Sequence, residues 1–587
     1  MCGLWATHAP TINHRERVSR GCALPVALKK CCARSTVLGS EQHPIRSAQL
    51  IAPSGRHGSL VVSIRDLRVI HVSPGGRKRL QARRVLRAVA GPRAIALLAA
   101  AFVLAAPALG SRHRRSDISP TRVAGLQTGS RPFTEVAAKV PWTGIAGPLR
   151  VSRTNPRYFT NNTGRAVYLT GSHTWPNFQD GGATDPPKRF AWTGYLDILQ
   201  RHHLNVIKLW RFEQAKFSSE TPGDFYLEPS PYLRTGPGVA LDGKPKFDLR
   251  RFNPAYFDRM RRRIIEARDR GIYVSIMLFD GWSIERKMNK PVGNPWLGHP
   301  FNAANNINGV DGDTNHDNAG AESHTLASQT VTTFQEGYVR KVIDVVNDLD
   351  NVLYEISNED RATTAALAWQ YHMIDFIHQY ESGKPKQHPV GMTSLWPGGS
   401  NTWLYSSKAD WIAPNGSLRE TPTATGTKVV LNDTDHLCGV CGDAAWVWKS
   451  FTRGTNPILM DPFDGTWPIA SVPYDVTDRR WNAVRTNMGY ARSFADRMDL
   501  LEMRPRGELA SSGYCLANPA GTHPEYLVYL PSGGAVTVNL RGSSGPLSVD
   551  WFLPISGQTV RAPGITGGVS LRLSAPSAPD AVLYIHR

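Results

Sequence analysis

Two stretches of this chain carry an apolar, extended run straight into carboxyl groups. Asn351-Val352-Leu353-Tyr354-Glu355-Ile356-Ser357-Asn358-Glu359 ends on an amide and an acid. Lys428-Val429-Val430-Leu431-Asn432-Asp433-Thr434-Asp435-His436 ends on two aspartates that share strand parity, so both would point the same way from an extended backbone. Two carboxyls facing one another across a cleft suit the cleavage of glycosidic bonds: one protonates the leaving oxygen, and the other attacks the sugar carbon or activates water. Glu359 is one candidate for such a pair. Asp433 and Asp435 are candidates for the other, and Asp461, after a later apolar run, is a third. Glu355, inside its run, reads as a member of a buried network.

Seven aromatic residues fall at or just beyond expected strand ends or on adjoining loops: Trp175, Trp210, Phe212, Trp282, Trp396, Trp446 and Trp467. Ring faces carry partial negative charge and large apolar area, which favours the C–H faces of sugars. Core packing is the competing reading for most of them, and two or three are expected to touch substrate. His173 and Asp280 are expected as polar rim contacts. No H-x-H or H-E-x-x-H spacing points to a metal hydrolase. Asp311, Asp313, Asn315, Asp317 and Glu322 do fall at positions 1, 3, 5, 7 and 12 of a calcium-loop pattern. Position 6 is His316 where that loop needs glycine, and no helix pair flanks it. A solvated polar loop therefore competes with a structural Ca2+ site, and no cofactor is otherwise required.

The elements that would position these groups alternate short apolar runs with longer amphipathic ones, the grammar of a parallel α/β fold. The expected strands are 167–169, 205–210, 272–279, 352–356, 390–393, 411–413, 428–431 and 457–460. The expected helices include 195–202, 257–270, closed by Gly271, 334–349, 365–380 and 444–451. A long insertion, 283–323, interrupts the order. Eight strands in this sequence predict a (β/α)8 barrel, whose chemistry sits at the C-terminal strand ends. A doubly wound sheet is the alternative, but no Gly-rich phosphate loop follows the first strand. After a helix at 478–498 the pattern becomes closely spaced strands with Gly/Pro/Ser turns and no helices, which predicts a small all-β sandwich docked on the barrel.

The net charge of +20 on 587 residues suggests nucleic acid, but its placement excludes that reading. Residues 1–118 hold roughly 20 Lys/Arg against about 4 Asp/Glu, leaving only about +4 for the rest. Within residues 83–110, Arg83, Arg84, Arg87 and Arg93 precede the apolar run 94–106 and an Ala106-Pro107-Ala108 exit, the layout of a secretory signal peptide. The run is shorter than the ~20 residues that a membrane span needs. A signal some 85 residues in suggests that translation truly starts near Val85. The expected organisation is a leader and linker over 1–140, a catalytic barrel over 141–504 and a β-sandwich over 505–587. The expected product is a secreted monomer without stable membrane insertion after cleavage. Cys2, Cys22, Cys31 and Cys32 fall in the leader. Cys438-x-x-Cys441 lacks the second pair that a zinc site needs and reads as a local disulfide or two free thiols, with Cys515 left over.

The Asn351–Glu359 segment resembles the strand-four motif N-V-x-Y-E-x-x-N-E of clan A glycoside hydrolases, the family 5 cellulase-like group. Residues 148–180 and 446–462 resemble apiosidase-like barrels of that clan. The tail from Tyr514 to Leu583 resembles the small domain, labelled collagen-binding, that follows such barrels; the label is not read as collagen affinity. The resemblance spans about residues 147–587. It implies Glu359 as acid/base and Asn358 as the amide that bonds the sugar 2-OH. It also implies a nucleophile after strand seven, where the clan carries Glu and this chain carries Asp. The family's spacing favours Asp433, with Asp435 close behind. Lys208 or Arg211 would take the role of the clan's strand-two arginine, orienting the nucleophile. The expectation is a retaining glycoside hydrolase acting on a polysaccharide or oligosaccharide. The alternatives are a non-catalytic carbohydrate-binding protein on a degenerate barrel, suggested by the missing strand-seven Glu, and an adhesin acting through the terminal domain.

Overall fold

The computed structural model describes residues 144–287, 292–422, 424–463 and 478–587. The signal segment 83–110, the linker, the four leader cysteines and Trp467 lie outside the described residues. Eight parallel strands form a closed barrel. They are β1 (Gly171–His173), β2 (Val206–Leu209), β3 (Tyr273–Asp280), β4 (Val352–Asn358), β5 (Val390–Thr393), β6 (Trp411–Ala413), β7 (Val429–Asp433) and β8 (Asn456–Met460), paired in chain order with β8 returning to β1.

Around them run α1 (Trp192–Arg201), α2 (Pro254–Arg268), α3 (Gln329–Val346), α4 (Thr364–Ser382), α5 (Asn401–Ser406), α6 (Asp435–Cys438), α7 (Ala444–Thr452) and α8 (Arg479–Arg497). Local chemistry fixes their starts: the side chains of Asn253, Ser328, Thr363, Asp443 and Asp478 each accept a backbone N–H of the first turn. Among the described residues no helix is long and apolar enough to cross a membrane.

The first strand differs from expectation. Residues 167–169 do not enter the barrel as a strand; Ala166–Val167 instead pairs with Phe159–Thr160 in a small sheet at the base, and the barrel strand begins at Gly171. Only glycine fits there, since a Cβ at 171 would lie 1.8 Å from the Val206 carbonyl oxygen. Two pairings were not expected: the hairpin Tyr232–Val239 with Pro245–Phe252, although Asp242-Gly243 in its turn is a hairpin signal, and Asp180–Gly182 with Tyr226–Glu228. All four strands lie in loops over the top of the barrel, where no helix or strand period announced them.

Side chains alternate along each strand, and the barrel interior is layered accordingly. Val206, Leu353, Leu431 and Ile458 belong to the apolar floor. Two residues further along each of three of these strands stand Lys208, Glu355 and Asp433, all buried. The cavity opens above them.

The C-terminal segment is all antiparallel. It comprises β9 (Arg504–Pro505), β10 (Cys515–Asn518), β11 (Glu525–Leu530), β12 (Ala535–Asn539), β13 (Pro546–Leu553), β14 (Gln558–Thr566), β15 (Ser570–Ser574) and β16 (Ala581–His586). A six-stranded sheet, ordered β9-β10-β11-β16-β13-β14, packs on the β12–β15 pair; Val536 and Val538 share a core with Trp551 and Leu583. The strand β14 was not expected, because its alternation is mostly exposed. The sheet's other face joins the barrel's own core: Leu527, Tyr529, Phe552 and Val582 cluster with α7 and α8, and Trp448 lies 5.7 Å and Phe494 5.3 Å from the Phe552 ring centroid.

Candidate active site

Glu359 follows β4 with a positive φ of 48°, a left-handed backbone that a non-glycine residue adopts at some cost in energy. Two contacts hold it there. Lys287 Nζ donates to the Glu359 carbonyl oxygen at 2.9 Å. Gly281, at the end of β3, allows that carbonyl close approach, since a Cβ at 281 would sit 2.4 Å from it. The carboxyl itself accepts from Trp282 Nε1 at 2.7 Å, and Trp282 stacks on Trp396 with centroids 5.5 Å apart.

Across the mouth, β7 runs into the turn and short helix α6. Asp433, at the end of β7, is held by His173 Nε2 at 2.9 Å and lies 3.9 Å from Lys208 Nζ. Burial alone would raise its pKa, but His173 and Lys208 hold it well below the usual carboxylate range. Its Oδ1 accepts the backbone N–H of Asp435 at 3.0 Å, so it braces the turn and does not itself line the cavity. Asp435 does line it. One carboxylate oxygen each from Glu359 and Asp435 and a ring nitrogen of His436 all lie within 4.8 Å of one another. Burial, and then the charge of Glu359, pushes Asp435 up to about 7. His436 has Nδ1 3.5 Å from Glu359 Oε1. Burial would lower its pKa, but Glu359 and both aspartates raise it on balance. Asp461, the third option after β8, is engaged on both oxygens by Arg485 and does not line the cavity.

Beneath the cavity Lys208 is shared. Its Nζ lies 2.8 Å from Glu355, which fulfils the buried-network reading of that acid, and donates to Asn358 Oδ1 at 3.2 Å. Burial disfavours its charge, but Glu355 and Asp433 more than restore it. Arg211 points away, donating to the Leu278 carbonyl and lying over the Tyr338 ring, so Lys208 alone approaches the strand-seven acid. Asp280 is not a rim contact: fully buried, it accepts from Ser283 Oγ at 2.7 Å, and burial pushes it up to about 7. His173 is likewise buried, stacked on Trp210 and absent from the cavity wall.

The cavity holds about 380 Å³, within the range of small-molecule sites. Trp175, Trp210, Phe212, Trp282 and Trp396 line it, whereas Trp446 is buried on α7 among core side chains. Asn358 also lines it. Two acidic or basic lining residues were not singled out from sequence. His436 stands next to a chosen aspartate, and the Asp-His pairing was the signal that could have found it. Glu220 lies in a loop after β2 with no periodicity to mark it.

Behind Glu359 lies a second, fully buried charged group. His324, at the end of the 283–323 insertion, bridges Glu213 at 3.0 Å and Asp360 at 2.6 Å and stacks on Trp369 at 4.5 Å. Burial would lower its pKa, but the two acids raise it to about 10.

In the 311–322 loop, oxygens of Asp313, Asp317 and Glu322 lie within 4.8 Å of one another, the one other cluster of metal-ligating type among the described residues. His316 takes the left-handed φ of 59° that the calcium-loop pattern gives to glycine. Asn315 Nδ2 donates to Asp317 at 3.2 Å and Glu322 at 2.9 Å, and Asp313 accepts the N–H groups of Asp317 and Asn318, so the loop satisfies much of its polarity internally. Asp311 accepts the N–H of Asp313 at 3.1 Å. Cys438 and Cys441 form a disulfide whose first member lines the cavity, and Cys515 is a buried free thiol.

A family model described as a domain of unknown function (DUF6298) matches residues 215–395, a span that contains Glu220 and Glu359. No curated protein matches the chain. Among solved structures, a glycoside hydrolase family 5 protein from Bacteroides vulgatus ATCC 8482 is similar at 13% identity over 76% of this chain and 94% of its own, with a TM-score of 0.49. A structure titled glycoside hydrolase is similar at 15% identity over 76% and 98%, with a TM-score of 0.48. An endo-1,4-beta-mannanase from Rhizomucor miehei is similar at 12% identity over 60% and 100%, with a TM-score of 0.38.

Proposed function

We propose that the protein is a secreted glycoside hydrolase of retaining mechanism, with Glu359 as acid/base and Asp435 as nucleophile. The observation that carries this reading is the approach of the two carboxyl groups to within 4.8 Å, at the floor of an aromatic-walled cavity. Retaining glycosidases space their carboxyls at about 5–5.5 Å, whereas inverting ones leave room for a water at about 6.5–9.5 Å. Such a close pair holds one proton between its members near neutrality. The productive form has that proton on Glu359 and the charge on Asp435. Asp435 Oδ attacks the anomeric carbon as Glu359 passes its proton to the departing glycosidic oxygen. Glu359, now a carboxylate, takes a proton from the water that cleaves the glycosyl–Asp435 ester.

Asn358 is placed to bond a sugar hydroxyl, its Oδ1 oriented by Lys208. Asp433 is a positioning residue: it braces the turn that carries Asp435. Export rests on the charged, apolar and small-residue layout of the leader. The substrate is a carbohydrate, whose apolar faces the five aromatic side chains would cover.

A second reading is favoured by the same trio, since Glu359, Asp435 and His436 also make a ligand set for a divalent cation. A polysaccharide panel assayed for reducing ends, with and without chelator, separates the possibilities. Glu359→Gln is expected to lose about 10³-fold on natural glycans. It should keep turnover of an aryl glycoside with a good leaving group, and azide should then yield a glycosyl azide of retained configuration. Asp435→Asn should be inactive on both. Abolition by chelator would favour the metal reading, and sugar binding without any cleavage would favour a binding protein.

A further inference from the structure

The cavity is more acidic than two-carboxylate hydrolysis requires. Glu220, on the loop that follows β2, is a third carboxyl in its wall. Its backbone N–H is held by Ser218 Oγ at 3.0 Å, which fixes the loop, but its carboxyl meets no hydrogen-bond or ion-pair partner among the described residues. The side chain is half-buried. No lysine or arginine lines the cavity among the described residues. Two buried lysines beside it are already committed, Lys208 to Glu355 at 2.8 Å and Lys287 to Glu285 at 2.9 Å. Among the described residues three carboxyls therefore share one cavity with a single imidazole, that of His436. Carboxylates that share a cavity repel one another, and a cation among them relieves the repulsion.

We propose that Glu220 is a specificity-determining residue and that the sugar it faces carries a free amino group. This rests on the hydrolase reading and names its substrate class: a glycan containing unacetylated hexosamine, whose ammonium is received by the Glu220 carboxylate. Uronic acids are disfavoured, because their carboxylate would enter a cavity lined by three carboxyls and, among the described residues, by no lysine or arginine. The aromatic wall supplies affinity common to all sugars, and Glu220 supplies the preference.

The test uses the full chain and its intrinsic tryptophan fluorescence, since Trp175, Trp210, Trp282 and Trp396 all line the cavity. Three disaccharides are titrated at about pH 6.5: one of glucosamine, its N-acetylated counterpart, and one of a uronic acid. The glucosamine disaccharide is expected to bind at least tenfold tighter than its acetylated counterpart, with the uronic acid weakest. Glu220→Gln should erase the tenfold preference while leaving the acetylated sugar within threefold of its original affinity. Circular dichroism checks that the variant is folded; should it not be, Glu220→Asp, which retains the charge, must keep the preference. Equal affinity for the amino and acetylated sugars, tighter binding of the uronic acid, or an undiminished preference in Glu220→Gln would each overturn the proposal while leaving hydrolysis intact. Failure to bind or cleave any sugar would overturn the hydrolase reading with it.

Discussion

Replacing His324 with leucine tests whether the charged group behind Glu359 holds the active-site rim together. The imidazole lies 3.0 Å from Glu213 and 2.6 Å from Asp360, with all three side chains at most 2% exposed. Leucine preserves much of the volume and the contact with Trp369 but leaves two buried acids facing it. Removing one partner of a buried ion pair costs about 3–5 kcal/mol. A histidine whose pKa rises from 6.5 to about 10 on folding bounds the effect similarly, at about 5 kcal/mol. Glu213 keeps the Asp280 N–H at 2.9 Å and Asp360 keeps Ser357 and Gln370, so the lower end, about 3 kcal/mol, is expected.

The sign of the pH dependence follows from the direction of the shift. A folded pKa above the unfolded one means that the contribution is complete below pH 6.5 and disappears as pH rises through about 10. Urea unfolding followed by circular dichroism should therefore show the wild type losing its advantage over His324→Leu between pH 7 and pH 10.5. A deficit under about 1 kcal/mol at pH 7, or one equally large at pH 10.5, would refute this reasoning.

Two further outcomes are expected. With the shared proton of the Glu359–Asp435 pair lost near pH 7, kcat/KM should fall on the alkaline side with an apparent pKa of about 7, and a profile flat from pH 5 to pH 9 would contradict the pairing. The Cys438–Cys441 bridge closes a loop of only a few residues, so Cys438→Ser with Cys441→Ser should cost about 2 kcal/mol by loop entropy, read from the urea midpoint. It should also weaken sugar binding, because Cys438, Gly439 and Val440 line the cavity.

The barrel was legible because its strands are short apolar runs whose order a parallel sheet dictates, and β5 and β6 fall at the expected residues. The position of Glu359 on the cavity wall was legible for the same reason: a strand end in a barrel is a place in space as well as in sequence. Which of Asp433 and Asp435 lines the cavity was not, because strand parity treats them alike. The structure separates them through His173, which comes from β1, some 260 residues away, and claims Asp433. Asp461 gave no hint of Arg485 on α8, and Glu220 gave no hint of the cavity, since a loop's path is set by contacts with other loops. The hairpin 232–252 stayed hidden although Asp242-Gly243 marks its turn, because its first strand carries Gly and Pro and its faces are mixed in polarity.

The continuity of the barrel's core into the C-terminal sheet bears on how this chain could have been assembled and how it can be taken apart. Phe552, Tyr529 and Val582 are buried in one cluster with Trp448 and Phe494. A fragment ending near Arg504 would bare that aromatic surface to water, and such patches promote self-association. The terminal sheet is thus a lid on the barrel's outer flank and not a tethered passenger; grafting it elsewhere would require a host that already presents a matching pair of rings.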